Sequence, residues 1–416
     1  MIATRLLGID PGTGPLDALR ILGTDTDTDA VLVHAPQSRS NPFADLLNRG
    51  LADAGISAVP AADAVAAAEF AVRLAQLSGG RIGCVVHLHW LHRITATAPD
   101  ERRARDAVEV TVTALQRARA AGARMLWTVH NLGPHRSRHP VAETSLRRQI
   151  AALADLVHVM NPNTVEALGH GVELDPGRLV TVAHPSYLGA YPDTVSTARA
   201  REVWGLKRNA VVFAVLGRIQ AYKELDVLAD AFDQLSAAEP GRFRLLVVGA
   251  VDGVGPGRSV RARPGPTDPA IGALLTRFAH HPDVVCHPLA IPDSQIQLVL
   301  RAADIAVVPN RVPLNSGAEL LALSFGVPVV TTDAVASDAG WGIGALPGDA
   351  TALAAALRRA VTRFTGPAAG TARAAAVERA RAVSPGLIGP RFARIVRGLL
   401  NQPPRPVDHP DAAGHR

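Results

Sequence analysis

At 416 residues, 48% apolar and 19% charged, the chain reads as a soluble globular protein too long for one ordinary core, so two domains are expected. Its 43 Lys+Arg against 37 Asp+Glu leave a net charge of +6, which suits an anionic substrate or membrane surface; with no basic run interleaved with aromatics, nucleic acid is not an expected partner. Two cysteines, Cys84 and Cys286, lie far apart in apolar runs and read as buried reduced thiols, and no run reaches the ~18 apolar residues of a membrane span.

Residues 1–29 read as an irregular extension without the apolar core of a signal peptide, so the expected location is cytoplasmic, with the basic balance suited to the inner face of a membrane. Within it, GIDPGTG (8–14) resembles a phosphate-binding turn of actin-like kinases, but PLDALRIL behind it carries helical spacing instead of a hairpin, so it reads as a loop. DTDTD (25–29) contains Asp-x-Asp, a metal-binding pattern, in a Thr-rich stretch that reads as a solvated turn; no essential metal or other cofactor is expected.

Short apolar β-branched runs then alternate with Ala/Leu/Arg-rich helical stretches, the pattern of βα units and parallel sheets. The first strands are AVLVH (30–34), RIGCVVHLH (81–89), RMLWTVH (124–130), DLVHVM (155–160) and RLVTVAH (178–184). Between the first two, NPFADLLNRGLADAG reads as a helix capped by Asn41 with Pro42 in its first turn; 42–54 and 142–153 are the helices considered for membrane contact. After a polar link at 193–203 the pattern restarts with AVVFAVLG, FRLLVVG, DVVCHP, ADIAVVP and VPVVTT. The expected architecture is α/β: two Rossmann-like doubly wound domains, 30–192 and 193–384, facing across a cleft. A C-terminal helix (385–401) and a disordered tail (402–416) follow.

LGRIQAYKELD (216–226) places Arg218 at a strand end and Lys223 five residues later at a helix start. At the carboxyl end of a parallel sheet that transition is where anions bind. Arginine offers a planar fork to two phosphate oxygens and lysine a mobile point charge, and five residues let the chain turn and aim both into one cleft. PNRVPLNSGAELLALSFGVPVVTTD (309–333) runs from a strand end through a loop into a helix at Ser316 and Gly317, then through a turn at Gly326 into a strand. Ser316 with Glu319 three residues on makes a capping box, and Gly317 lets a bulky anion reach N–H groups reinforced by the helix dipole. Ordinary capping accounts for Ser316 and Glu319 singly; beside Arg218 and Lys223, the loop as a whole reads as a diphosphate site.

LGRIQAYKELDVLADAF resembles the Gly-Arg…Lys…Leu segment of GT-B glycosyltransferases related to family 4, and ADIAVVPNRVPLNSGAELLALSFGVPVVTTD resembles their donor-binding loop, helix and strand. LVHAPQSRSNPFADLLNRGLADAGI, VHLHWLHR, WTVHNLGPHRSRHP and VTVAHPSYLGAYPD resemble N-terminal-domain segments of bacterial exopolysaccharide and glycolipid transferases. The resemblance covers about residues 30 to 400 and implies a GT-B fold, a nucleotide-sugar donor held by the C-terminal domain and a hydroxyl acceptor held by the N-terminal one. It further implies that Gly217, Arg218, Lys223, Asn315, Ser316, Gly317 and Glu319 bind the donor, with Arg218 and Lys223 neutralising the diphosphate leaving group. One departure concerns the two glutamates that many family 4 enzymes carry eight residues apart: Pro313 and Leu321 stand at those positions, Glu319 is displaced by two, and Asn315 is a candidate substitute at the sugar.

His130 and Asn131 end the strand RMLWTV at the cleft edge. His130 is expected to contact the donor sugar or diphosphate, or to act as base toward the acceptor hydroxyl. His89, Asn131 and His135 are further cleft candidates. His87, His89 and His92 around Trp90 lack a fourth ligand for zinc. The leading expectation is a hexosyltransferase using GDP-mannose or a UDP-sugar and acting on a glycolipid, polysaccharide or small glycoside. A non-catalytic nucleotide-sugar-binding subunit and a sugar-nucleotide epimerase are the alternatives.

Overall fold

The structure, a computed structural model, describes residues 28–38, 41–130, 138–168, 172–220, 223–251, 268–310, 317–332 and 340–402. The chain divides into two compact units: Met1–Pro185 together with Pro385–Arg416, and Ser186–Ser384. Each is built on six strands, numbered β1 to β12 along the chain.

In the first unit the strands are β1 (Ala30–Ala35), β2 (Ile56–Pro60), β3 (Gly83–Leu88), β4 (Arg124–Thr128), β5 (Leu156–Val159) and β6 (Leu179–Thr181). They pair in parallel in the order β2-β1-β3-β4-β5-β6. Every residue of AVLVHA in β1 is buried, as expected for a central parallel strand covered on both faces. Helices Ala64–Ser78 and Glu101–Ala120 start on Asp63 and Asp100, whose carboxylates accept the N–H of Ala66 and Arg103, and their apolar faces carry Phe70, Leu74 and Leu115 into the core beside Trp127 and Leu146.

The stretch expected as one helix from Asn41 is instead a short α-helix, Phe43–Leu47, followed by 3-10 turns at Asn48–Gly50 and Ala52–Ala54. Asn41 does act at its start, its Oδ1 accepting the Phe43 N–H at 3.0 Å. The break has a tertiary cause. The C-terminal helix Pro385–Leu400 crosses here, and a Cβ on Gly50 would sit 2.3 Å from the Pro390 nitrogen, while one on Gly389 would sit 2.7 Å from the Gly50 nitrogen. Two glycines therefore let backbone meet backbone, and a Gly50→Ala change is expected to cost about 3 kcal/mol or more, read as a lower denaturation midpoint. Asp29, the last residue of DTDTD, pairs with this same helix: Arg397 Nη1 lies 3.0 Å from each of its carboxylate oxygens.

The second unit holds β7 (Val211–Leu216), β8 (Phe243–Val248), β9 (Val284–His287), β10 (Ile305–Val308), β11 (Val329–Thr331) and β12 (Gly342–Gly344). The parallel order is β12-β11-β10-β7-β8-β9. Phe213, Phe232, Phe243 and Phe278 fill its core with Leu357 and Phe364 of helix Ala350–Phe364. The strands' amino ends are tied by a buried guanidinium. Arg201 donates to Asp304 at 2.7 Å and to the carbonyls of Ala302, Arg208 and Ala210, and Asp304 also accepts the Val212 N–H at 2.9 Å, so the charge is fully partnered.

Cys84 is buried as expected, but Cys286, on the edge strand β9, is only half-buried. Loss of hydration pushes their thiols up to about 12 and about 11 respectively, so both stay protonated at neutral pH. No helix among the described residues is long and apolar enough to cross a membrane. Both sheets reverse their strand order beside the first strand: β1 lies between β2 and β3, and β7 between β8 and β10. In such sheets the crevice at the carboxyl ends of those strands is the natural ligand site.

Candidate functional site

In the second unit, β7 ends at Leu216 and Gly217 follows with φ 135, a conformation that glycine alone adopts without strain. Its N–H donates to the Val248 carbonyl at 3.0 Å, and Ile219 N–H donates to Ala250 at 2.9 Å, so the chain stays paired to its neighbour past the strand end. Lys223 closes a turn by donating its N–H to the Gln220 carbonyl at 3.0 Å. Its side chain is half-buried, and Nζ lies 3.0 Å from the point where a Cβ on residue 217 would be. The ammonium thus occupies the space a side chain would take at the strand end. Arg218, the residue after Gly217, is exposed.

Gly249, at the end of β8, is equally constrained: a Cβ there would lie 1.8 Å from the Gly217 carbonyl oxygen. A Gly249→Ala change must push the Gly217–Arg218 backbone aside. It is expected to cost about 2–4 kcal/mol and to impair ligand binding by the same loop, which thermal unfolding with and without nucleotide would reveal.

Sequence reasoning missed Glu224. It is buried in the left-handed region at φ 47, and its Oε2 accepts the Gly348 N–H at 2.8 Å, holding the turn after Lys223 to the segment behind β12. No local pattern announces a strained glutamate before a helix; only the distant glycine explains it.

β10 is the other neighbour of β7, in register Ile305↔Phe213 and Ala306↔Ala214, and the helix that follows it opens at Gly317 and runs to Ser324. Gly217, Arg218, Lys223 and Gly317 therefore stand on the segments leaving two adjacent strand ends. Glu319 is buried in that helix's first turn. Asn315, Ser316 and Pro313 lie outside the described residues, and with them the expected capping box; Leu321 is half-buried in the helix.

In the first unit His89 and His130 are brought together: His89 Nδ1 lies 2.9 Å from His130 Nε2. His130 stacks on Trp90 at 4.4 Å between centroids and 20° between planes, and the edge of Phe43 meets it at 4.8 Å. Trp90 itself has φ 36, a strained value for a side chain of that size. Phe43 also contacts His184 at 4.9 Å. Burial lowers His130 well below the usual histidine range, with His184 adding to the effect, so its ring is neutral at pH 7. Asn131 and His135 lie outside the described residues.

The cluster is larger than the sequence reading assembled. His34 on β1, His87 on β3, His158 on β5 and His184 after β6 join His89 and His130 along the carboxyl ends of the strands. A signal was present: AVLVH, VVHLH, WTVH, LVHV and TVAH all place histidine at or near the end of an apolar run. These rings bond to one another, to Thr128, to the Asn48 amide or to backbone carbonyls, and no group of three or more His, Cys, Asp or Glu among the described residues is placed to hold a metal ion.

Two parallel six-stranded sheets, each with its order reversed beside its first strand, define a GT-B protein. The fold matches sucrose-phosphate synthase from Thermosynechococcus elongatus with a TM-score of 0.64 at 17% identity, over 89% of this chain and 99% of that one. It also matches Anabaena Alr3699/HepE in complex with UDP and glucose, with a TM-score of 0.61 at 14% identity over 89% and 99% of the two chains. Residues 210–363 match the family described as "Glycosyl transferases group 1". The chain is 31% identical to D-inositol 3-phosphate glycosyltransferase 2 of Catenulispora acidiphila over 217 residues, 50% of this chain and 49% of that protein. It is 33% identical to D-inositol 3-phosphate glycosyltransferase of Nocardia farcinica over 199 residues, 47% of this chain and 41% of that protein. The chain thus spans about half the length, or less, of the curated relatives it matches. Residues 210–363, which carry the match to group 1 glycosyltransferases, lie within the second unit.

Proposed function

We propose that the protein is a glycosyltransferase that moves a hexose from a nucleotide-diphosphate sugar, held by the second unit, to a hydroxyl acceptor. The observation that carries this is the Lys223 ammonium packed against Gly217 at the carboxyl end of β7, within the segment matched to group 1 glycosyltransferases. As the glycosidic bond breaks, negative charge builds on the leaving diphosphate. A fixed ammonium, the Arg218 guanidinium and the backbone N–H groups of Asn315, Ser316 and Gly317 would stabilise that charge where it develops. His130, neutral and hydrogen-bonded to His89, would act as base toward the acceptor hydroxyl.

UDP in the Anabaena HepE complex, and the names of the curated relatives, make a UDP-hexose and the hydroxyl of a phosphorylated polyol the first donor and acceptor to try. GDP-mannose and a glycolipid acceptor come next. A non-catalytic nucleotide-sugar binder is the second reading, favoured by Pro313 and Leu321 at the positions where the family resemblance places glutamates. The deciding measurement is diphosphate-nucleotide release from a panel of UDP- and GDP-sugars with and without acceptors. Acceptor-dependent release supports the transferase. Stabilisation by nucleotide, about 2.7 kcal/mol at a hundredfold excess over Kd, without any turnover supports the binder.

A further inference from the structure

Among the described residues only Trp90 and Glu224 carry a side chain at positive φ, and each adjoins a residue of the proposed chemistry: Trp90 stacks on His130, and Glu224 follows Lys223 in the chain. Strain of this kind persists only where the surroundings enforce it, and it gathers at sites of function.

Glu224, with φ 47 and ψ 39, stands immediately before the helix Leu225–Ala238, and its carbonyl accepts the Leu228 N–H at 3.0 Å. A residue in that place ordinarily takes an extended backbone and turns its side chain back to cap the helix. Glu224 does neither. Its buried carboxylate reaches instead to a residue 124 positions away, where Oε2 accepts the Gly348 N–H at 2.8 Å. Gly348 lies just before Asp349, whose own carboxylate caps the helix Ala350–Phe364 by accepting the Ala352 N–H at 2.9 Å. Two carboxylates, one local and one brought from the turn after β7, thus meet at the amino end of one helix, where its dipole favours negative charge.

The contact secures the direction in which the chain enters the helix Leu225–Ala238. A change of φ and ψ at Glu224 would swing Lys223 about the helix start. Lys223 donates its N–H to the Gln220 carbonyl at 3.0 Å, and its ammonium lies 3.0 Å from the would-be Cβ of Gly217. Lysine carries its charge on a flexible four-carbon stem, so the ammonium is preorganised only where the backbone beneath it is held. We propose that Glu224 is a positioning residue: clamped on the Gly348 N–H, it holds the left-handed step that aims the Lys223 ammonium at the carboxyl end of β7. The effect on catalysis rests on the transferase reading above, whereas the clamp itself does not.

The test is a double-mutant cycle on the full chain, with kcat and KM measured for the nucleotide sugar that turns over. Glycine takes φ 47 without strain, so Glu224→Gly is expected to stay folded while it loses the clamp. It should lower kcat by about tenfold with KM little changed, since Lys223 acts on charge that develops in the transition state. In a Lys223→Ala background the same change should cost less than about twofold, because Glu224 acts through the ammonium. Glu224→Gln, which keeps an acceptor oxygen of the same reach, should recover most of the loss. Equal losses with and without Lys223, or activity that falls only in step with folded protein, would make Glu224 purely structural and overturn the proposal. Amide hydrogen exchange reads the clamp without substrate: exchange at Lys223 and Gly348 should rise several-fold in Glu224→Gly and not in Glu224→Gln. Equal exchange in both variants and the wild type also overturns the proposal. Raised exchange in a chain that turns over no nucleotide sugar would keep the clamp and remove the transferase reading instead.

Discussion

Lys223→Ala is expected to lower kcat/KM for nucleotide-sugar turnover by about 100- to 1000-fold, the size of effect seen when one preorganised donor to a developing anion is removed. The ammonium lies beside Gly217, 3.0 Å from its would-be Cβ, where the strand ends and the diphosphate is proposed to sit. Truncating the half-buried lysine removes no core packing, so the melting temperature should move by only a few degrees. Arg218→Ala should behave similarly with still less effect on stability, since that side chain is exposed. Steady-state kinetics on variants checked by calorimetry separate the cases. Turnover within about threefold of wild type, or activity lost only in step with folded protein, would sink the assignment.

The second large effect is acid sensitivity of the first unit. Burial lowers His34, His158 and His184 to about 4 each, against ~6.5 in an unfolded chain. The unfolded state therefore binds more protons than the native state between those values. Stability is complete above about pH 6.5 and falls as pH drops toward 4. At about 1.4 kcal/mol per pKa unit, each of the three withdraws about 3 kcal/mol by pH 4. His87, His89 and His130, lowered in the same direction by burial, add to the loss. The total is comparable to the whole stability of a domain, so the first unit is expected to unfold near pH 4–5. Denaturant titrations from pH 8 to 4, followed by the fluorescence of Trp90 and Trp127, should give a stability that rises with pH. A slope near zero between pH 7 and 5 would show that the cluster is hydrated or already protonated.

Much of this fold is legible because strands buried on both faces need continuous β-branched runs, and AVLVHA, VVFAVL and FRLLVV admit little else. The two strands not anticipated are those that lack such runs. β2, ISAVP, is an edge strand ending in proline, and β12, GIG, is three residues with two glycines; their partners, not their composition, make them strands. The break of the expected helix after Leu47 has the same character, since the cause is a helix more than 330 residues away in the chain.

The site divides in the same manner. The order of residues along the chain placed Gly217, Arg218, Lys223 and Gly317 at strand ends, because strand-loop-helix succession is a local property written in apolar runs and glycines. It also put His130 at such an end. What local order could not supply is which strands become neighbours. The reversal of order that sets β7 beside β10, the carbonyl of Val182 that orients His158, and the Gly348 N–H that holds Glu224 in a left-handed turn all depend on partners separated by 24 to 124 residues. A sequence states which groups can donate or accept; only the folded chain decides which of them meet, and in a dry interior that meeting fixes both conformation and protonation.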